Sequence, residues 1–487
     1  MLILLDLAGL AFLFSIVMTP YIRDAARRLG MVDRPDQGRK LHAEPIPRVG
    51  GIVIALGYLV SFSFVLIAPY RNVGFNIPTV VPRALTLMPA AGLIFLIGLW
   101  DDLAGLRPWQ KLVGQVVAAG LAMTAGVRIN FLQWHELSFW LSIPITIVWL
   151  VGCANAFNLI DGLDGLAAGV GLFASLTTLV AALLHDNLHL ALVTAPLVGC
   201  LLGFLIYNFN PASVFLGDSG SLLIGFLLGC YGIMWSQKSA TFLGLTAPMM
   251  AMAIPLLDVA LSVVRRFLRN QPIFGADRGH IHHRLLARGL TPRRAALCLY
   301  MICAAGAALS LLQDRAHSRV GGVIILLFCT GAWIGVQHLG YAEFGVARRM
   351  IVKGTLRSFI DLQLRIHEFE RVLGQCSNIE DCRTAILAAS QEFGFSAVRM
   401  NLAGLISERR YQPQPAIIWQ MRVELPDAQY VNFYGDFQSA IHPGLLAGFA
   451  QTIERKLRNQ IVVTPPEGSP PHIMPDTDSE PSLSAHA

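Results

Sequence analysis

Long apolar runs constrain the fold of this chain more than any other feature. Eleven of them approach the length of roughly 20 residues that a helix needs to cross a bilayer. This pattern predicts an α-helical polytopic membrane protein with about eleven transmembrane helices. The runs fall at about 2–22, 50–69, 85–100, 112–127, 138–154, 164–184, 188–207, 220–236, 242–264, 295–312 and 320–340.

The composition excludes an ordinary soluble enzyme. Apolar residues make up 54% of the chain and charged residues 14%, whereas about 25% charged is usual in soluble domains. The eight cysteines are scattered, with no spacing typical of a disulfide framework or a metal site, so we interpret them as core residues. Residues 1–18 lack a basic leading segment and a small-residue cleavage site, which predicts a retained first span.

The basic residues predict an orientation in the membrane. They are concentrated in the connections 23–49 and 265–294, which the positive-inside rule makes cytoplasmic. Alternation then predicts inner loops at 23–49, 101–111, 155–163, 208–219 and 265–294. We therefore expect an inner (plasma) membrane protein with its amino terminus outside and everything after residue 341 in the cytoplasm.

Nearly every unusual polar cluster of the first 340 residues lies on one of these five inner loops. A random scatter of polar residues would not sort by side, so the clusters predict one cytoplasmic cleft. Their candidate site residues are Lys40, Arg48, Asp101, Asp102, Lys111, Asn158, Asp161, Asp164, Asp218, His280, His282, His283 and Arg284.

The stretch 155–169 is the centre of this prediction. It places two amides and two carboxylates between apolar runs. A charge at the centre of a bilayer costs roughly 2.5–3.5 kcal/mol, so these groups should lie at its edge or face a wet cavity. Asp161 and Asp164 each precede a glycine, which permits a sharp turn or close approach of backbone. The alternative is a polar loop that merely caps the next helix.

The residue types indicate a metal and phosphates. Carboxylates and amides without a Cys or His cage suit Mg²⁺, with Mn²⁺ as an alternative, and Mg²⁺ is usually held by one or two carboxylates together with substrate phosphates. Lys40, Arg48, Lys111 and Arg284 supply positive charge for a diphosphate, although such residues also serve as plain topology determinants.

Two further clusters have open interpretations. Asp101 and Asp102 could raise each other's pKa and provide a base near neutral pH, or they could be simple interfacial residues. The spacing of His280, His282 and His283 matches no usual zinc pattern. Hydrogen bonds from these imidazoles to phosphate or sugar oxygens are the favoured interpretation.

Four motifs in register carry a family resemblance over roughly residues 1–340. They are Asp101-Asp102, Asn155-x-x-Asn158-x-x-Asp161-Gly-x-Asp164-Gly, Phe215-Leu-Gly-Asp218-Ser-Gly and His280-Ile-His282-His283. In this order and on inner loops, they resemble the motifs of the polyprenyl-phosphate N-acetylhexosamine-1-phosphate transferases.

The resemblance implies a reaction. A UDP-N-acetylhexosamine, most simply UDP-GlcNAc, gives its sugar 1-phosphate to undecaprenyl or another polyprenyl phosphate and releases UMP, which starts a cell-surface polysaccharide. The residue between His280 and His282 favours the branch that uses simple UDP-N-acetylhexosamines over the one that uses UDP-MurNAc-pentapeptide, which is the alternative. A polyprenyl-glycan transporter and an anchored sensor are the other classes. The absence of an evident internal repeat disfavours the transporter.

The resemblance also implies residue roles. Asn158 and Asp218 resemble the Mg²⁺ ligands, and Lys111 resembles the diphosphate contact. Asp164 resembles a nucleotide-recognition residue, and the histidine loop with Arg284 resembles the part that reads the sugar. Asp101 and Asp102 resemble the pair that deprotonates or positions the lipid phosphate, and Asp161 is placed with the catalytic residues.

The last third of the chain has a different character. Residues 341–375 predict a helical linker and residues 376–462 a small soluble α+β domain whose pattern resembles an abbreviated GAF domain. The Pro/Ser-rich tail 463–487 predicts disorder. No catalytic constellation stands out there, so we expect a cytoplasmic domain that regulates the enzyme or mediates assembly, with a homodimer as one outcome and no nucleic-acid partner.

Overall fold

The computed structural model divides the chain into two compact units, Met1–Ala342 and Glu343–Ala487. The residues that the structure describes are 2–33, 45–67, 85–132, 135–236, 250, 252–268, 279–315, 318–339, 356–376, 378–411, 418–436 and 443–461. Lys40 and the predicted tail 463–487 lie outside the described residues.

The first unit is almost entirely helical. Its two short antiparallel hairpins pair β1 (Val32–Asp33) with β2 (Ile46–Pro47) and β3 (Phe131–Leu132) with β4 (His135–Glu136). Its described helices are α1 (Leu2–Arg28), α2 (Gly50–Ile67), α3 (Met88–Ala104), α4 (Pro108–Thr124), α5 (Phe139–Ile160), α6 (Leu166–Leu184), α7 (Leu188–Asn208), α8 (Gly217–Ser236), α9 (Ala253–Leu268), α10 (Ile281–Ala287), α11 (Pro292–Arg315) and α12 (Ser318–His338).

The helices follow the apolar runs of the sequence. Each of the eleven predicted runs overlaps one helix. Six helices, α1, α5, α6, α7, α8 and α11, are long and apolar enough to cross a membrane, and α2 and α12 contain shorter apolar helices. The protein is therefore a polytopic membrane protein, whereas eleven crossings stay a prediction. The short helix α10, which carries most of the histidine motif, was not predicted.

Helices α7 and α8 are the most enclosed of the six candidate spans. Helix α7 packs against α1 and α6, and α8 packs against α2, α3 and α5. Small residues allow this closeness, since a Cβ on Gly199 of α7 would lie 2.1 Å from the carbonyl oxygen of Ala8. Close packing of this kind is what associates helices in a membrane, where lipid is as apolar as the side chains. The amino-terminal end of α8 consequently lies where three other helices meet.

In its described residues, the second unit combines three helices with one sheet. Its four strands are all antiparallel, in the order β6-β5-β8-β7. The elements are α13 (Leu356–Gln375), α14 (Ile379–Glu392), β5 (Ala397–Leu402), β6 (Leu405–Arg410), β7 (Ile418–Glu424), β8 (Tyr430–Asp436) and α15 (Pro443–Ile461).

A cluster of aromatic rings forms the core of this unit. Phe449 of α15 is fully buried, and its ring centroid lies 4.5 Å from Phe369 of α13 and 5.2 Å from Phe433 of β8. In β5 alternate residues such as Val398 and Met400 are buried, as the two-residue period of a strand requires. The helices therefore cover one face of the sheet.

The boundary of the soluble domain lies earlier in the chain than the sequence predicted. Helix α13, which falls in the predicted linker 341–375, contributes Phe369 and Leu373 to the aromatic core. It therefore belongs to the compact unit, and the division of the chain falls between residues 342 and 343. The α+β composition agrees with the expectation, and the resemblance to a GAF domain stays a prediction.

Phe449→Ala is expected to lower the free energy of unfolding of the second unit by about 3–5 kcal/mol, because it leaves a cavity at the centre of the ring cluster. Amide hydrogen exchange of β8 in the full-length protein measures this loss. The control is Leu405→Ala on the edge strand β6, where the side chain is 54% exposed. Its effect should stay within about 0.5 kcal/mol. Equal losses in the two variants would contradict the assignment of Phe449 to the core.

Candidate active site

The amino-terminal end of α8 is the meeting point of three predicted inner loops. The segment 47–51 runs beside residues 215–216, with the Gly50 N–H donating to Phe215 O at 3.0 Å and the Gly51 N–H to Leu216 O at 3.0 Å. From the other side, Asp102 at the end of α3 accepts hydrogen bonds from the first turn of α8. The loops 23–49, 101–111 and 208–219 therefore contribute to one site.

Glycines allow this convergence. A Cβ on Gly51 would lie 2.4 Å from the backbone nitrogen of Gly220, and one on Gly98 would lie 2.5 Å from Asp218 O. Gly217 has φ +75°, a conformation that side chains disfavour, and its Cβ would lie 2.7 Å from Asp102 Oδ2. The glycines of segment 47–51 thus leave room for the backbone of α8, as well as for any ligand that approaches this segment.

Asp102 holds the start of α8. Its Oδ1 accepts from the Asp218 N–H at 2.8 Å, and its Oδ2 accepts from the Ser219 N–H at 2.9 Å and the Ser219 hydroxyl at 2.7 Å. The first N–H groups of a helix have no partner within the helix, so an outside carboxylate satisfies them. Both oxygens of Asp102 are therefore engaged in positioning the backbone that carries Asp218.

The pKa of Asp102 agrees with the predicted direction but not with the predicted cause. Asp102 follows the predicted span that ends at residue 100. Burial raises its pKa to about 6, and the negative charge of Asp218 adds to this, against the hydrogen bonds from the two N–H groups. Desolvation, rather than the neighbouring Asp101, is thus the main reason for the raised pKa.

Lys111 brings together side chains from four helices. Its Nζ on α4 lies 2.9 Å from Asp101 Oδ2 on α3 and donates to Asn158 Oδ1 on α5 at 3.3 Å. It also forms an ion pair with Asp218 Oδ2 on α8. The second oxygen of Asp101 accepts from the Leu106 N–H at 2.7 Å. Four residues that the sequence assigned separately to lipid, metal and diphosphate therefore form one cluster, hereafter the Lys111 cluster.

Ser221 was missed by the sequence reasoning. Its hydroxyl accepts from Asn158 Nδ2 at 3.0 Å, so the other end of the amide, Oδ1, faces Lys111. The available signal was its spacing, since Ser221 follows Asp218 by three residues and therefore shares its face of α8.

Asp161 and Asp164 have different environments at the turn between α5 and α6. Asp161 is half-buried, and it forms no hydrogen bond or ion pair with any residue that the structure describes. Burial raises its pKa well above the usual range, and the charges of Asp218 and Asp102 add to this. Asp164 Oδ2, in contrast, accepts from Asn210 Nδ2 at 2.9 Å and the Ala212 N–H at 3.0 Å, which holds the turn before α8.

The histidine loop reaches the same turn. His282 is buried against Gly162, where an added Cβ would lie 2.6 Å from His282 Nε2. Burial lowers the pKa of His282 to about 3, so this imidazole is neutral at physiological pH. The ring of His283 lies 4.2 Å from that of His282. The structure therefore brings the fourth motif next to Asp161, as the single-cleft prediction requires.

His280 introduces a second missed residue, Asp258 of α9. The two side chains are buried, with His280 Nδ1 and Asp258 Oδ2 3.0 Å apart. The available signal was a carboxylate inside the predicted span 242–264, since ionisable residues in apolar spans are functional candidates by default.

Of the other predicted basic residues, Arg48 and Arg284 do not join the Lys111 cluster, and Lys40 lies outside the described residues. Arg284 donates to Leu339 O at 3.2 Å, after the end of α12. Arg48 forms an ion pair with Asp33 at 2.7 Å, although its charge also acts on Asp161. These contacts hold segments of the protein together, and among the described residues they leave Lys111 as the ammonium group of the cluster.

The donor set of the Lys111 cluster suits a hard cation. Asp218 and Asn158, the predicted Mg²⁺ ligands, direct oxygen atoms at the same ammonium group, so a positive charge is already stabilised between them. Within the described ranges, no group of three or more His, Cys, Asp or Glu side chains is arranged to hold a metal ion. One carboxylate and one amide nevertheless match Mg²⁺, which takes its remaining ligands from water and phosphate.

Asp102→Asn is expected to expose the start of α8, because an amide cannot accept hydrogen bonds on both of its atoms. The loss of a bond to a charged acceptor should cost about 1.5–3 kcal/mol. Protection of the Asp218 and Ser219 amides from hydrogen exchange should fall by roughly 10- to 100-fold. Asp101→Asn is the matched control, since Asp101 accepts from the Leu106 N–H, whereas the Asp218 and Ser219 N–H groups donate to Asp102. Similar protection in the two variants would show that Asp102 does not hold the helix.

Comparisons with known proteins identify the family of this chain. The family model described as glycosyl transferase family 4 matches residues 84–236, a range that includes the Lys111 cluster, Asp161 and Asp164. A probable undecaprenyl-phosphate N-acetylglucosaminyl 1-phosphate transferase of Bacillus subtilis is 34% identical over 298 residues, which cover 60% of this chain and 80% of that protein.

Two further relatives have similar names. A decaprenyl-phosphate N-acetylglucosaminephosphotransferase of Mycolicibacterium smegmatis is 35% identical over 66% of this chain and 86% of that protein. An undecaprenyl-phosphate alpha-N-acetylglucosaminyl 1-phosphate transferase of Escherichia coli is 27% identical over 65% of this chain and 86% of that protein. These matches confirm the resemblance that the four motifs predicted. The chain belongs to glycosyl transferase family 4.

Proposed function

We propose that this protein transfers N-acetylglucosamine 1-phosphate from a UDP-sugar to a polyprenyl phosphate and releases UMP. The observation that carries the proposal is that Asp101, Asn158 and Asp218, from three helices, all contact the ammonium group of Lys111 on a fourth helix. The names of the relatives support a polyprenyl phosphate as the acceptor and N-acetylglucosamine in the group that is transferred. They also favour N-acetylglucosamine over MurNAc-pentapeptide as the group that is transferred with the phosphate. They favour a transferase over a transporter as the class of protein.

The reaction joins two phosphates. An oxygen of the polyprenyl phosphate forms a bond to the phosphorus that carries the sugar, and the bond from that phosphorus to the UMP oxygen breaks. Such a transfer depends on positioning and charge neutralisation more than on covalent help. Lys111 supplies a positive charge, and Asp101 orients it through an ion pair of 2.9 Å.

We place Mg²⁺, with Mn²⁺ as the alternative, at Asp218 and Asn158. When bound, the cation would neutralise the diphosphate and orient its oxygens. The surplus of carboxylates supports this placement, since Asp102 and Asp218 both raise the pKa of Asp161 by their charge. A site with this much negative charge favours a bound cation.

Direct attack is favoured over a covalent aspartyl-phosphate intermediate. Both oxygens of Asp102 accept hydrogen bonds from α8, and both oxygens of Asp101 are bound by Lys111 and the Leu106 N–H. A nucleophilic carboxylate would first have to break such contacts. We therefore assign positioning roles to these two residues. Of the two predicted alternatives, deprotonating or positioning the lipid phosphate, this proposal does not use the first.

The proposed site has a preferred side of the membrane. The five loops that carry it were predicted as cytoplasmic from their basic residues, where soluble nucleotide sugars are available. An outer amino terminus and a cytoplasmic carboxyl-terminal unit in the inner membrane complete the proposal.

Asp218→Asn is expected to lower UMP release by roughly 100-fold or more, because it removes the charged oxygen that would hold the cation. The assay supplies UDP-GlcNAc, Mg²⁺ and polyprenyl phosphate to the full-length protein. The control is Asp24→Asn on α1, where the carboxylate is 52% exposed and pairs with Arg23. Undiminished turnover in a correctly folded Asp218→Asn protein would remove this residue from the site.

A chain that ends near residue 345 is expected to insert, fold and keep its transferase activity. Every residue of the proposed site lies in the unit Met1–Ala342, and the second unit has its own core. UMP release by the truncated protein, compared with the full chain at equal concentration, measures the effect. A stable, inserted but inactive truncation would show that residues after 345 contribute to catalysis and do not only regulate or assemble the protein.

A further inference from the structure

Helix α9 carries a carboxylate with an unusual position. Asp258 is 1% exposed and lies in a largely apolar helix. A buried carboxylate is strongly unfavourable unless hydrogen bonds or an opposite charge compensate for its lost hydration. Its partners therefore indicate why the protein retains it.

Both oxygens of Asp258 bind the histidine loop. Oδ1 accepts from the Ile281 N–H at 2.8 Å, and Oδ2 lies 3.0 Å from His280 Nδ1. The two partners are consecutive residues at the start of α10, where His280 is the N-cap residue with extended backbone. Asp258 therefore fixes the backbone and the imidazole ring of the motif at once.

A second side chain of α9 strengthens this attachment. Arg265, which is 2% exposed, donates to Gly279 O at 3.0 Å. A Cβ on Gly279 would lie 2.4 Å from the guanidinium carbon of Arg265. Helix α9 thus holds three consecutive residues, 279–281. Arg265 is among the basic residues of the connection 265–294 that predict the orientation in the membrane. The structure gives it this additional contact.

The ring of His280 has one nitrogen engaged and one available. Nδ1 is bound to Asp258, whereas Nε2 forms no hydrogen bond with the described residues. The ring of His280 stacks on that of His282, with the ring centroids 5.7 Å apart and an interplanar angle of 2°. His282 in turn lies against Gly162, beside Asp161. The orientation of His280 is therefore coupled to the packing of the loop on the proposed site.

We propose that Asp258 is a positioning residue for the transfer reaction, acting through His280. The carboxylate accepts the Nδ1 proton and so selects the tautomer and angle of the ring, because the bond made by one imidazole nitrogen decides the state of the other. Nε2 then carries the lone pair, faces the UDP-sugar and accepts a hydrogen bond from a hydroxyl group of the sugar. This inference rests on the proposed function for its substrate, but the pairing of Asp258 with His280 does not.

The first test begins with the wild-type protein and does not depend on activity. In full-length protein with ¹⁵N-labelled histidine, NMR is expected to show His280 with a proton on Nδ1. Asp258→Asn should change this signal, since an amide can present its NH₂ group to the ring. A wild-type His280 that carries its proton on Nε2 alone would overturn the proposal, whatever the activity of the protein.

The second test separates positioning from folding. Asp258→Asn should lower kcat/KM for UDP-GlcNAc by about 10- to 100-fold, with the KM for polyprenyl phosphate unchanged. In a His280→Ala background the same substitution should have an effect of less than about 3-fold, because residues that act as a unit are not additive. A general loss of structure would instead alter the kinetic constants for both substrates.

The outcomes distinguish the two proposals. Equal losses from Asp258→Asn with and without His280 would show that Asp258 acts through the Ile281 N–H or the fold, and the positioning role would be wrong. If wild-type protein released no UMP from UDP-GlcNAc, the proposed function would be wrong, while the NMR measurement would still test the pair. Leu261→Ala, a buried apolar change on the same helix, controls for general disturbance of α9.

Discussion

The contact between Asp102 and the first turn of α8 organises the rest of the site. A helix begins with N–H groups that have no partner, and in an apolar protein interior water is not available to satisfy them. Asp102 supplies two acceptor oxygens from α3. Because the same turn carries Asp218, this contact sets the position of a charged side chain relative to Lys111. Glycines at positions 51, 98 and 217 leave room for it.

Six aspartates at the proposed site and its supporting loop fall into three groups by what they bind. Asp102, Asp164 and Asp258 accept hydrogen bonds from backbone N–H groups, and each one joins segments that are distant in sequence. Asp101 and Asp218 share the ammonium group of Lys111, and Asp101 also accepts from the nearby Leu106 N–H. Asp161 forms no hydrogen bond with the described residues, and its pKa is raised. A membrane enzyme thus uses the same residue type to build the scaffold and to concentrate negative charge.

The second unit follows ordinary soluble-protein principles. Its stability derives from aromatic burial around Phe449, and its sheet alternates buried and exposed side chains. The membrane unit has little use for hydrophobic burial between helices, and it relies on close packing and satisfied polar groups. The two parts of the chain are therefore stabilised by different interactions. This difference explains why their sequences differ so strongly in composition.

The sequence by itself determined the membrane class, the approximate positions of the helices and the family, and it predicted the site residues. Apolar runs are long and uninterrupted, and motifs such as Asp161-Gly and Asp218-Ser-Gly are local, so both can be recognised without coordinates. Local patterns also located the core helices of the second unit. They placed the start of its fold too late, because the burial of Phe369 depends on contacts with α15 that sequence spacing does not reveal.

Only the tertiary structure decided which residues share a task. Lys111 and Asp218 are separated by 107 positions, and nothing in either motif shows that one ammonium group joins them to Asp101 and Asn158. The engagement of Asp102 by α8 and the pairing of Asp258 with His280 are likewise products of helix packing. A side chain's type shows which bonds it can make. Which partner it finds depends on the crossing of helices that are distant in the chain, and this is the physical reason why the sequence alone could not assign the roles.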